Sequence, residues 1–504
     1  MEYNQLILSS VLLLPLIAAI VNLFLWGNSR AQRWVGNLFV VLHLVVSALV
    51  LKQTVAHSMI VLNVGDWLHG YGIMLAVDAL SAGMIAMASL LALLAWFYSY
   101  EWFTSESVKA LFNVVYFFLL MGLTGAFMAA DLFNLYVWFE VLLVSSFVLF
   151  TLGGKKAQLE GTLKYVAINV FSSTIFLAGI GVIYGLTGTV NMAAAGIALD
   201  SLGQSSLANV AAVFFLVSFG IKAAVFPLFF WLPATYHTAP IGISSLVVAL
   251  MTKVGVYVLI RFFTIVFPIS ENEVFRIIFM LIAAFTMVVG VFGAAAQSDF
   301  RKILSFHIVS QIGYMIMGLA IGTPLAIAGA LFFVLHNVLV KTNLFFISGL
   351  VNRVAGSYSL KQLGGVLTQF PLLALVFAIS AFALTGVPPL TGFWGKFILA
   401  KAGFMAGDWE IVTVSLAVSL ITLFSMTKIW NQVFWKPLPQ GSSFSVSTFS
   451  QMAKNYPSMV LVVLCLTVII LGVSFFPNQF IEYAERAAQY VVNRTDYINA
   501  VLNR

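Results

Sequence analysis

Glu140, Lys222, Lys253, His307, His336, Lys341 and Lys396 each fall inside a long apolar run, where a charge is expensive. Asp78 falls near the head of another such run. An ionised side chain at the centre of a hydrocarbon layer costs about 2.5–3.5 kcal/mol on insertion scales. Helices that only need to pack have no use for such groups, so they mark an ion or proton path. A lysine taken out of water loses hold of its proton, and a neighbouring carboxylate restores it. A Glu140–Lys222 pair that forms and separates would therefore take up and release a proton. Histidine titrates near neutrality and can pass a proton either way. For Lys341, His336 and Asp78 a structural pair or a side chain reaching to the interface is an equal alternative. For His307, packing is an equal alternative to a relay. Ser310, Gln311, Tyr314 and Thr342 could order connecting waters.

Two runs carry breaks beside a lysine. GIKAAVFPLFFWLPATYHTAPIG (220–242) holds Pro227 and Pro233, and ALTGVPPLTGFWGKF (383–397) holds Pro388 and Pro389 among glycines. Proline removes a backbone donor and clashes with the preceding turn. Unwound backbone at membrane depth is tolerated only inside protein or against water, so both breaks suggest internal hydration near Lys222 and Lys396. His237 follows the first break, near a membrane surface.

The elements that must hold these groups follow from composition. The chain has 504 residues, of which 62% are hydrophobic and 8% charged, with mean hydropathy +1.05. Ordinary soluble domains are about 25% charged. A soluble enzyme, a disordered chain and a disulfide-stapled fold are excluded, and the lone Cys465 cannot form an intrachain bridge. The net charge of +7 is spread along the chain and gives no nucleic-acid patch. No phosphate-binding loop, dinucleotide fingerprint, haem attachment motif or metal-ligand spacing is present, so no cofactor is expected.

About 20 apolar residues cross a bilayer as a helix. Such runs occur near 6–26, 33–51, 72–99, 111–130, 133–152, 165–186, 208–231, 241–268, 274–296, 303–322, 325–349, 371–402, 411–432 and 457–477. The expected fold is an all-α polytopic membrane protein of about 14 transmembrane helices. The first run lacks a positive leader and is long enough to span, so it reads as span 1 rather than a cleaved signal. Residues 478–495 read as an amphipathic helix at the interface. Odd-numbered connections hold thirteen basic residues, Arg30, Arg33, Lys155, Lys156, Arg301, Lys302 and Arg353 among them. Even-numbered ones hold four: Lys52, Arg261, Arg276 and Lys401. Arg486, Arg494 and Arg504 lie in the tail. Basic loops stay in the cytoplasm, so both termini are expected outside it. The broken spans 7 and 12 lie five apart, an odd number, so spans 4–8 and 9–13 read as two inverted five-helix repeats. The corresponding segments are 1–110, 111–268, 269–432 and 433–504.

The quoted segments, with DLFNLYVWFEVLLVSSF (131–147), LMTKVGVYVLIR (250–261) and RKILSFHIVSQIGYM (301–315), resemble the antiporter-like subunits. These are shared by respiratory complex I, membrane-bound hydrogenases and Mrp-type sodium/proton antiporters. The resemblance covers nearly the whole chain and is strongest to the Mrp type, which Lys396 favours. It implies that Glu140 pairs with Lys222 and that Lys253 connects towards a terminal Lys396. It also implies a hetero-oligomer of six or seven different membrane subunits that exchanges H+ and Na+ across the cell membrane, rather than an enzyme. Relatives often have a histidine four residues before the span-11 lysine. Here that position is Asn337, and His336 lies about 100° further round the helix. The alternative is a proton-pumping subunit of a redox-driven complex; a scaffold is the third class. Asp78 with Ser81 is the weak candidate for a sodium site.

Overall fold

The computed structural model describes residues 2–502 apart from 58, 68–71, 104 and 204. Arg504 lies outside the described residues. Among these, thirteen helices are long and apolar enough to cross a membrane, and a pair of half-helices completes the expected fourteen. Spans 1 to 6 are Glu2–Phe24, Ser29–His57, Ala79–Tyr100, Glu106–Met128, Leu132–Thr151 and Lys156–Thr187. Span 7 is Ser206–Ala223 followed by a break and the short helix Trp231–Thr235. Spans 8 to 11 are Ile241–Arg261, Glu273–Ala296, Phe300–Ile321 and Pro324–Ala355. Span 12 is Pro371–Thr385 and Thr391–Ala406, with residues 386–390 between them. Spans 13 and 14 are Trp409–Ile429 and Pro457–Phe475. Helix is the only economical backbone here, because every N–H and C=O is then satisfied within its own segment.

The ends are chemically marked. Asp131, Asp299 and Thr323 accept the first free amides of spans 5, 10 and 11, as N-caps do. Pro324, Pro371 and Pro457 occupy first-turn positions that need no donor. Spans 8, 10 and 11 form the interior: 100%, 94% and 89% of their apolar windows are buried, against 28% for span 2. Those three helices carry Lys253, His307, His336 and Lys341.

The run expected to begin span 3 at residue 72 is not all helix. Its head is strand β2 (Met74–Asp78), paired antiparallel with β1 (Met59–Asn63). The apolar content alone cannot separate a buried strand from a helix. A further short helix, Met192–Leu202, fills the connection between spans 6 and 7. The expected amphipathic helix is Pro477–Val492, followed by Arg494–Leu502. Its Ala484, Ala487, Ala488 and Val491 are buried, because it packs on spans 3 and 11 rather than lying free at the interface.

Certain features occur twice. The link before span 5 bridges to the link before span 7: Leu132 N donates to Val190 O at 2.8 Å and Met192 N to Ala130 O at 3.0 Å. The link before span 10 bridges likewise to that before span 12, through Phe300 N to Tyr358 O at 2.9 Å and Leu360 N to Ser298 O at 3.0 Å. Spans 8 and 13 both run on into a π-helical turn, Phe262–Val266 and Trp430–Trp435.

Asp131 sits at the first of these bridges, outside the spanning segments. It accepts from Asn134 N at 2.7 Å and weakly from Met74 N. Burial nevertheless pushes its carboxyl up to about 6, more than these amides pull it down. The folded state thus holds this proton more tightly than the unfolded one. The associated stability is present below about pH 4 and is lost as pH rises through about 6. Asn caps a helix as well as Asp, so Asp131→Asn should remove this slope, on the order of 2–3 kcal/mol. Thermal melting of variant and parent between pH 4 and 7 checks it; parallel curves would refute it.

Candidate functional site

Span 7 stops at Ala223 because Ala224 adopts the left-handed conformation, φ 58°. Backbone groups at the break are engaged by neighbouring side chains. Ile221 O accepts the Trp231 indole N–H at 2.9 Å, and Phe226 N donates to Thr286 Oγ1 of span 9 at 2.9 Å. Pro227 lies in the break, whereas Pro233 lies in the first turn of the short helix. Lys222 is thereby fixed one residue before a helix end. Its Nζ donates to Ser173 Oγ of span 6 at 3.3 Å and stands 4.6 Å from the Phe139 ring on span 5. The adjacent Glu140 is the charge Lys222 feels. Glu140 Oε1 is buried without a hydrogen-bond partner among the described residues. No ion pair joins these two described residues; Lys222 is turned towards Ser173.

Span 8 meets this point directly. A Cβ on Gly255 would stand 2.6 Å from Ala223 N and 3.0 Å from the Lys222 carbonyl carbon. Only glycine lets span 8 approach so closely, two residues from Lys253. Lys253 is fully buried, and its Nζ has no hydrogen-bond partner among the described residues.

Lys341 on span 11 lies within Coulombic reach of both Lys253 and Lys396. Its Nζ is 3.4 Å from Leu304 O of span 10. Lys396 stands on the second half-helix of span 12 and reaches back over the break. It donates to Thr385 O at 2.8 Å and Ser419 Oγ of span 13 at 3.0 Å, and lies over the Tyr314 ring. Relative to their breaks, Lys222 therefore precedes and Lys396 follows. Pro388 and Pro389 lie in the break itself.

Both histidines are fully buried and within electrostatic range of Lys341 and Lys396. His307 Nε2 is 2.9 Å from Ser425 Oγ of span 13. His336 Nδ1 is 2.7 Å from Thr391 Oγ1, the first residue after the break. The extra rotation relative to Asn337 is what aims His336 at span 12. Gly392 makes room, since a Cβ there would lie 2.9 Å from the imidazole.

Among the expected water-ordering groups, Ser310 is spent on Met287 O of span 9 and Thr342 on Val338 O of its own helix. Tyr314 OH donates to Ser415 O and touches Ser419, the hydroxyl that holds Lys396. Gln311 keeps both amide ends without a partner among the described residues. His237 bonds Pro233 O in its own turn, 2.7 Å away.

Asp78 is not inside a span; it caps span 3. Its partner is Arg261, counted above among the even-numbered connections but buried in the last turn of span 8. Arg261 Nη2 bonds Asp78 Oδ1 and, at 2.9 Å, Ser81 Oγ; its Nε donates to Tyr257 OH at 3.2 Å. The guanidinium already takes the place of a cation beside Asp78 and Ser81, so the sodium candidate falls. A polar residue ending an apolar run, eight after Lys253, was the available signal.

The family model for the NADH:quinone oxidoreductase/Mrp antiporter transmembrane region matches residues 129–422, a stretch that contains Glu140, Lys222, Lys253, His307, His336, Lys341 and Lys396. The chain is 41% identical to a Na(+)/H(+) antiporter subunit of Alkalihalophilus pseudofirmus, over 99% of each chain. It is 35% identical to a Na(+)/H(+) antiporter subunit of Bacillus subtilis, over 97% of this chain and 98% of the relative. A chain in the structure of the Mrp complex from a Dietzia species superposes with TM-score 0.88 at 27% identity, covering 98% and 99% of the two chains. This chain belongs to the NADH:quinone oxidoreductase/Mrp antiporter membrane-subunit family.

Proposed function

We propose that this chain is the proton-translocating subunit of a multisubunit sodium/proton antiporter. The observation that carries the reading is the intramembrane series from Glu140 through Lys222, Lys253 and Lys341 to Lys396, flanked by His307 and His336. Each group is a proton donor or acceptor held near the next, on six helices that need no charge to pack. Thr252, Gln311 and Asn337 add buried polar atoms without partners among the described residues, along the same helices. Buried polar groups take hydrogen bonds, so water completes these and links the lysines. Proton arrival at Glu140 loosens its hold on the Lys222 ammonium, which passes its proton inward; Lys396 is the far terminus. The relatives' names supply sodium as the exchanged cation, and the family resemblance supplies a hetero-oligomer of six or seven different membrane subunits.

The duplicated bridges and π-helical ends support two five-span repeats, 4–8 and 9–13, inserted in opposite senses. With the basic connections, this gives a multi-pass protein of the bacterial plasma membrane with both termini outside. The reading is of a transporter subunit rather than a catalyst. The test uses the complex extracted in mild detergent through a tag on this chain. We expect no stoichiometric iron or flavin, and sodium-dependent proton flux in vesicles. Stoichiometric iron and flavin would mean a redox-driven pump that uses the same residues.

A further inference from the structure

Spans 2, 3, 11 and 14 and the amphipathic helix Pro477–Val492 enclose an apolar slot of about 450 Å³. Leu44, Met87, Leu90, Leu335, Leu339 and Val473 are in its wall, and only Gln479 and Tyr483 contribute polar side chains. A volume of this size is within the range of about 300–1,000 Å³ that small ligands occupy. Immediately beyond it is a polar recess of about 690 Å³, lined by Thr54, Arg486, Gln489, Asn493 and Asp496 among others.

The two are neighbours along the same three helices. Span 2 contributes Leu51 to the slot and Thr54 and Val55 to the recess; span 11 contributes Leu331 and Pro324; the amphipathic helix contributes Ala487 and Arg486. On spans 2 and 11 the recess residues are nearer the helix end, so polar lies above apolar along the membrane normal. From Pro324 to Leu335 the helix rises about 16 Å. That is about half of the ~30 Å hydrocarbon thickness, or one leaflet.

Arg486 supplies the charge. Its Nη1 touches only Val55 O, at 3.4 Å, and it makes no ion pair among the described residues. Asp496, the acid of the recess, is engaged by Asn493 Nδ2 at 3.0 Å. We propose that this groove binds one anionic phospholipid, with an acyl chain in the slot and the phosphate at Arg486. A tail gains no hydrophobic energy by leaving other tails. Selectivity therefore comes from the headgroup, and the slot supplies only a fitting shape. The bound chain would pack on the outer side of span 11, whose inner side carries His336 and Lys341.

The assembled complex tests this, reconstituted in vesicles of equal phosphatidylglycerol and phosphatidylcholine. Benzoylphenylalanine in place of Met87 is photolysed and the adducts are identified by mass. The expected result is a phosphatidylglycerol adduct at least tenfold over phosphatidylcholine, with the preference lost in Arg486→Glu. Arg486 is exposed, so this change does not threaten folding. A protein adduct would mean another subunit covers the groove and would overturn the proposal. So would the absence of adducts, or adducts whose ratio is unaffected by Arg486→Glu, the mark of unselective boundary lipid.

Discussion

Replacing Lys222 by arginine is expected to stop antiport while leaving the complex assembled. Arginine keeps the positive charge beside Glu140 and Ser173, but its proton does not leave in a protein. If Lys222 is only an electrostatic anchor, Lys222→Arg should work and Lys222→Ala should fail. If it is a relay, both should fail, because each removes a group that gives and retakes a proton. Losing a positioned proton-transfer group costs about 100-fold or more. Glu140→Gln should behave likewise, since it keeps shape and hydrogen bonding and removes only the titration. Glu140 is half-buried and Lys222 keeps Ser173 in Glu140→Gln, so that change should not cost the fold. Sodium-dependent proton flux in vesicles, normalised to assembled complex, is the readout. Wild-type flux in Lys222→Arg would end the relay assignment for that residue.

Asp78→Ala is expected to damage assembly rather than transport chemistry. It strands the Arg261 guanidinium, which is 3% exposed, without its counter-charge. Breaking a buried pair from one side costs about 3–5 kcal/mol. The cost falls on a junction, because Arg261 ties the end of span 8 to the start of span 3. Tyr257 OH also donates to Phe127 O of span 4, 2.9 Å away. Tyr497 of the last helix lies against the guanidinium. Thermal stability of the purified complex should fall sharply in Asp78→Ala and in Arg261→Met. It should recover in large part in the double variant, since an apolar replacement of both members can be neutral. Retained sodium dependence in the double variant would separate this pair from any ion site. Loss of sodium dependence with a stable fold would restore Asp78 as a candidate ligand.

The sequence alone determined the membrane architecture. Twenty-residue apolar runs have one physical solution in a bilayer, and their number, order and two proline-glycine interruptions are read directly. It also picked out Glu140, Lys222, Lys253, His307, His336, Lys341 and Lys396, since a charge in hydrocarbon is conspicuous wherever it stands. What it could not supply is partnership between residues far apart in the chain. Asp78 and Ser81 look like cation ligands until span 8 brings Arg261 between them. Ser310 and Thr342 look free until the neighbouring backbone takes their hydroxyls. His336 looks displaced from its helix face until Thr391 and Gly392 arrive from the broken span 12 to receive it. The β-hairpin escaped for a related reason: a short apolar strand has the same composition as the first turns of a helix. Composition and local periodicity report how each segment meets its solvent. Which polar groups meet one another is set by helix packing, and that exists only in the folded chain.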